Sequence, residues 1–89
     1  MIGLVWKPEK NVELKRDPNR SSFDDVVEAL AAGGYRDALR NRNHPDQMIL
    51  VVEIEGYAHA VPYRIVGTMM FLRTVYPSRE LQKKYGMKP

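Results

Sequence analysis

The chain contains no cysteine, so disulfide staples, zinc fingers, iron–sulfur clusters and thiol catalysis are all excluded. Histidine is scarce as well. His44 and His59 stand apart, the acids are scattered, and no metal-ligand cluster of recognisable spacing appears, so neither metal nor cofactor is expected. Gly33-Gly34 and Gly67 lack the pattern of a phosphate-cradling loop, which leaves nucleotide hydrolysis unsupported. No apolar run approaches the ~20 residues that a bilayer span needs. The opening Met1-Ile2-Gly3-Leu4-Val5-Trp6 has no basic leader and soon meets charge, unlike a signal peptide, so a cytoplasmic protein with no membrane partner is expected. Chemistry is left to Arg, Lys, His, Tyr and carboxylates.

With 89 residues there is room for one small domain. A hydrophobic share of 44% and a charged share of 28% argue against disorder, collagen-like repeats and a coiled coil. The net charge of +3 hides an asymmetry: residues 1–63 carry 8 basic and 10 acidic side chains, whereas residues 64–89 carry Arg64, Arg73, Arg79, Lys83, Lys84 and Lys88 against Glu80 alone. A basic final third suits an anionic partner, and it equally suits a tail that keeps a small protein soluble.

Pro8 near a first helical turn, with Glu9 beside it, predicts a short helix over Glu9–Arg16, ended by Asp17-Pro18-Asn19. A clearer helix starts at Ser22, which can cap it while Asp25 answers as the capping-box acid. Phe23, Val26, Val27, Leu30 and Ala31 then form one apolar stripe, and Gly33-Gly34 stop it. The polar stretch from Tyr35 to Gln47 reads as a loop. Met48–Ile54 and Tyr57–Ile65 read as a hairpin about Glu55-Gly56, Met69–Tyr76 as a third antiparallel strand after Gly67-Thr68, and Arg79–Tyr85 as a last helical turn or two capped by Ser78. The fold class is therefore α+β, with N-terminal helices on one face of a three- to four-stranded antiparallel sheet.

Strand alternation sorts the side chains. One face collects Met48, Leu50, Val52, Ile54, Tyr57, His59, Val61, Tyr63, Ile65, Met70, Leu72 and Thr74, a core for the Phe23 helix to cover. The other collects Ile49, Val51, Glu53, Ala58, Ala60, Pro62, Arg64, Phe71, Arg73 and Val75. Its small central residues suggest a shallow floor open to a polyanion and ringed by Glu53, Arg64 and Arg73; ordinary solvated charges on an exposed sheet explain those three equally well.

Trp6 followed by Lys10-Asn11, the helix Ser22-Phe23-Asp24-Asp25-Val26-Val27-Glu28-Ala29 before Gly33-Gly34, the hairpin Val51-Val52-Glu53-Ile54-Glu55-Gly56-Tyr57, and Phe71-Leu72-Arg73-Thr74 leading into Tyr76-Pro77-Ser78-Arg79 form an ordered series. From Trp6 to Tyr85 this series resembles the BrnT-like toxins of bacterial type II toxin–antitoxin systems. The resemblance implies a fold like that of RelE and ParE toxins, an endoribonuclease that slows translation, and a cognate antitoxin that silences it and binds DNA on behalf of the pair. Cleavage through the neighbouring 2′-hydroxyl needs a base, a stabiliser of phosphoryl charge and an acid, but no metal. Arg73 and Arg79 suit the stabilising role, with Arg64 behind them. Glu53 is a candidate base, although nearby arginines would keep it ionised. Tyr76 and Tyr85 can stack on unpaired bases, although packing against the helix is the commoner use of a residue placed like Tyr76, and Lys10, Lys15, Lys83 and Lys84 can meet phosphates, a solvated helix face explaining Lys10 and Lys15 equally well. His59 is of the residue type suited to proton transfer, but its parity points inward, where a structural role is the commoner one, and His44 reads as an exposed polar residue. Since no complete acid–base set is legible, the alternative is a non-catalytic RNA- or protein-binding module of the same fold.

Overall fold

The computed structural model describes residues 3–86. Along the chain it forms β1 (Gly3–Val5), α1 (Pro8–Arg16), α2 (Phe23–Ala31), β2 (Tyr35–Arg40), β3 (Met48–Ile54), β4 (Tyr57–Val66), β5 (Met69–Leu72), β6 (Tyr76–Pro77) and α3 (Arg79–Tyr85). Helix α2 begins as its sequence dictates. The Ser22 hydroxyl accepts from the Asp25 amide at 3.2 Å while the Asp25 carboxylate accepts from the Ser22 amide at 2.8 Å, a reciprocal cap. Asn11 of α1 adds a third tie, its side-chain oxygen accepting from the Phe23 amide at 2.9 Å. At the other end Gly33 takes the left-handed conformation that stops a helix. Gly34 has a different role: a Cβ there would stand 2.7 Å from the Glu53 carbonyl oxygen and 2.8 Å from that of Ala29, so the helix end can lie directly against β3.

The strands form one six-stranded sheet in the order β1-β5-β4-β3-β2, with β6 also pairing on β4. The α+β class stands, but the sheet is mixed and larger than the three to four antiparallel strands expected. Three local readings account for the difference. The opening Gly3–Val5 pairs in parallel with Met69–Phe71, a long-range contact that no neighbouring residue announces. Tyr35–Arg40 is a strand rather than the start of a loop; it lies at the sheet edge, where charged side chains such as Arg36 and Asp37 suit a strand that must not recruit another. Finally, the third hairpin strand breaks at Arg73–Val75. Arg20 donates from Nε and Nη2 to the Val75 carbonyl at 3.2 and 2.6 Å and from Nη2 to Thr74 Oγ1 at 3.2 Å, holding this segment off the ladder until Tyr76-Pro77 rejoin β4.

Both turns fall where expected. Glu55 and Gly56 have φ of 51° and 78°, the pair of positive values that a tight hairpin with the native twist requires, and Gly67-Thr68 joins β4 to β5. The register Met48↔Tyr63, Leu50↔Val61, Val52↔His59 and Tyr63↔Leu72 gathers the inner face as alternation predicts. Phe23, Val26 and Leu14 from the helices pack there on Leu50, Val52, Ile54, Val61, Tyr63 and Leu72, with Trp6 stacked on Phe23 at a centroid distance of 5.3 Å. Val75 joins this core, not the outer face, because the Arg20-held break shifts the alternation. Ile65 keeps its inner parity yet stays exposed beyond the helices' reach.

The outer face is not an open floor. Val51, Ala58 and Ala60 are 0%, 2% and 2% exposed, since α3 lies over β4. Gln82 Oε1 accepts from the Ala58 amide at 2.7 Å, and the Tyr85 hydroxyl donates to Asp37 Oδ2 at 2.6 Å, pinning the helix across the sheet. What remains open is the strip beside it.

Candidate nucleic-acid interface

That strip is a groove between α3 and β6 on one side and the loop at residues 41–47 on the other. It consists of two adjoining hollows of ≈ 520 and ≈ 470 Å³ that share Asn41, Asn43, Ile49 and Tyr76. Arg40, Arg42 and Lys84 border the first; His44, Gln47 and Arg73 border the second. Arg73 also lines a third hollow of ≈ 250 Å³ with Lys7, Lys10 and Phe71. A track thus runs from Lys84 past Tyr76 and Arg73 to Lys10, with Glu80 as its acid at the α3 end.

Four expected site residues meet on this track: Lys84, Tyr76, Arg73 and Lys10. Arg73 is exposed, its amide anchored to the Pro62 carbonyl at 2.8 Å and its guanidinium 5.8 Å from the Phe71 ring centroid. Tyr76 is 39% exposed and presents its ring beside the floor residues Ile49 and Ala60. Half-buried Lys10 also approaches the exposed Glu13 at 3.5 Å, a solvent-facing pair that costs little to break.

The other candidates stand elsewhere. Glu53 pairs with Arg36 at 3.2 Å in a separate hollow with Asp25, Glu28 and Glu55. From its partner Ala58 to Arg64 is six residues of strand, about 20 Å, so Glu53, Arg64 and Arg73 do not ring one floor. Arg64 sits opposite Phe71, beside the track but outside its hollows. Arg79 follows Ser78, whose amide donates to the Ala58 carbonyl, whereas the Arg73 amide donates to that of Pro62; four residues, about 13 Å, separate these anchors. Lys15 is held by Asp24 at 2.7 Å, and that contact, with Asn11, keeps the Asp24 carboxyl below its usual range. Lys83 is exposed on α3. Tyr85 has its hydroxyl committed to Asp37, a bond that lowers the Asp37 pKa and raises that of Tyr85.

His59 is buried at 6% exposure, as its parity predicts. Its Nδ1 lies 2.8 Å from the Tyr57 carbonyl, which can only accept, so Nδ1 carries a hydrogen, and Nε2 lies 3.2 Å from Ser21 Oγ. Both nitrogens are occupied.

Arg40, Arg42 and His44 line the groove without having been singled out from the sequence for this role. Their signal was the Arg40–Gln47 run itself, with two Arg, two Asn and one His, which strand β2 delivers to the groove's rim. The positive field is consequently not confined to the last third of the chain. Among the described residues no group of His, Asp and Glu could hold a metal ion, and no helix is long and apolar enough to cross a membrane. Compared with known proteins, the chain matches no family model, no curated protein and no solved structure.

Proposed function

We propose that this protein is the toxin component of a type II toxin–antitoxin system, a metal-independent endoribonuclease with a RelE/ParE-like arrangement of its helices and sheet. The observation that carries this reading is the track from Lys84 through Tyr76 and Arg73 to Lys10, which alternates cations with an exposed aromatic ring. Single-stranded RNA asks for that combination: cations follow the backbone, and a ring accepts an unpaired base face. Arg73 stabilises the charge that builds on the phosphoryl oxygens, since its guanidinium stays ionised and offers paired donors. Two helices on one face of the sheet support the fold part of the proposal.

The same groove is what a cognate antitoxin has to cover. An inhibitor that presents acidic side chains would meet Arg40, Arg42, Arg73 and Lys84, and DNA enters only through that partner. Cytoplasm is the compartment this activity requires. One observation favours the second reading, a non-catalytic RNA- or protein-binding module: Glu53 is tied to Arg36 and His59 has both nitrogens engaged, so neither anticipated proton carrier faces the track.

Incubating the purified protein with single-stranded RNA and a chelator separates the two. Cleavage that persists under chelation supports the ribonuclease; salt-dependent binding with intact RNA supports the binding module.

A further inference from the structure

We propose that His44 is the proton acceptor in RNA cleavage by this protein, a step that rests on the ribonuclease reading above and completes it. The loop that carries His44 is fixed by its own hydrogen bonds. The Asn41 side-chain oxygen accepts from the amides of Asn43 and His44 at 3.1 and 3.3 Å, the Gln47 amide donates to the His44 carbonyl at 2.8 Å, and the Asn41 amide donates to the Gln47 carbonyl at 3.3 Å. These bonds hold the backbone on both sides of His44. Its side chain stays exposed and borders the same hollow as Arg73 and Tyr76.

The contrast with the other proton carriers is geometric. His59 lies under the sheet with both ring nitrogens bonded, and Glu53 is paired with Arg36 in the acidic hollow. Around the Arg73 hollow, histidine is the residue type suited to exchanging protons near neutral pH. A base and a phosphate-stabilising arginine on one cleft are the two groups that attack by a 2′-hydroxyl demands.

In the step assigned, an imidazole nitrogen of His44 takes the proton of the 2′-hydroxyl beside the phosphate that Arg73 holds. The 2′-oxygen forms its bond to phosphorus as the bond from phosphorus to the 5′-oxygen breaks. That oxygen leaves with the electron pair and takes a proton from solvent in the open groove, and His44 later returns its own proton to solvent. The products are a 2′,3′-cyclic phosphate and a 5′-hydroxyl, with no oxidant, reductant or water consumed.

The test measures single-turnover cleavage of a short single-stranded RNA by the wild type and by His44→Ala, alongside binding of the same strand with 2′-deoxy sugars. The expected result is a rate at least ~100-fold lower in the variant, with affinity for the deoxy strand within about threefold, and recovery of the rate on adding free imidazole. A substrate whose bridging 5′-oxygen is replaced by sulfur, a leaving group that needs no proton, should not rescue His44→Ala; rescue by it would overturn the assignment as base. Undiminished cleavage by His44→Ala, with Arg73→Ala inactive, overturns the role of His44 and leaves the ribonuclease reading standing. A wild type that cuts no RNA overturns both.

Discussion

The two faces of the sheet are covered by different physics. On the inner face, α1 and α2 press Leu14, Phe23 and Val26 onto β-branched and leucine side chains, and among the described residues most of the fully buried side chains, Phe23, Leu72, Val26, Val52, Val61 and Val75, lie here. On the outer face, α3 buries none of its own residues and is held by single polar contacts at Gln82 and Tyr85 over small alanines. Apolar burial is non-directional and scales with area, whereas polar ties act at points and leave space between them. That space is the groove. A face built to exclude water cannot also receive a polyanion, so the proposed binding falls to the side that α3 leaves partly open.

The largest expected effect therefore belongs to the inner face. Leu72 is fully buried on β5 against the helix-covered core, and Leu72→Ala should cost roughly 2–5 kcal/mol, read as a shift of the urea midpoint at unchanged slope. A loss under about 1 kcal/mol would mean that this face is not the stabilising one.

Next comes Arg20, which joins the two regions. From the end of the α1–α2 connection it grips the Val75 carbonyl and Thr74 Oγ1, and so positions the segment between Arg73 and Tyr76. Arg20→Ala removes charge-assisted bonds to the carbonyl of a fully buried residue, and should cost about 1.5–3 kcal/mol. If RNA binding also weakens while the protein is still folded, the break in the strand is there to set the groove; binding that survives intact would confine Arg20 to stability.

Much of the inner face was legible in the sequence, and much of the outer face was not, for the same reason. Phe23, Val26 and Leu30 repeat with the helical period and Leu50, Val52 and Ile54 with the strand period, and these face the core, whereas Val27 and Ala31, read into the same helical stripe, lie at its margin and are exposed. Ser22 with Asp25, and Ser78 before α3, are likewise local signals, and both cap as read. The parallel pairing of β1 with β5, the hold of Arg20 on Val75 and the reach of Tyr85 to Asp37 span 48 or more positions, and nothing in the neighbouring residues encodes them. Arg73 was identifiable by type and parity, and Tyr76 by type alone, since alternation after Leu72 and Thr74 would have turned it inward; His44 was not, because its place depends on an edge strand, Tyr35–Arg40, whose charges disguise it.

A smaller effect is expected where α3 is latched. The bond from Tyr85 is the first cause of the lowered Asp37 pKa, and Asp37 is the first cause of the raised Tyr85 pKa. A carboxyl whose folded pKa is depressed contributes stability above its usual value near 3.8 and loses it as pH falls through the lowered one. A phenol whose folded pKa is raised contributes below its usual value near 10 and loses it as pH rises through the raised one. The difference in stability between the wild type and Tyr85→Phe should accordingly be greatest between those limits and shrink towards both ends. A difference that does not vary with pH would show that the latch is not made in solution.

The smallest stability effect should come from the groove's own arginines, and there the comparison is sharpest. Arg73 and Arg79 are both exposed, and neither fills the core, so Arg73→Ala and Arg79→Ala should each change stability by less than about 0.5 kcal/mol. Their effects on RNA should separate. Arg73 lines two hollows of the track, and losing its charge-assisted bonds to a phosphate, worth on the order of 1.5–3 kcal/mol, lowers cleavage at least tenfold. Arg79 opens α3 next to Ser78, whose backbone anchor on β4 is four residues from that of Arg73, and it borders none of the hollows described, so Arg79→Ala should act through affinity and its salt dependence. Measuring cleavage rate and salt slope for the two variants decides between a site centred on Arg73 and one shared along β4. Equal losses of rate would move the centre of the site towards α3; a loss confined to Arg73→Ala would fix it in the groove that the outer face leaves open.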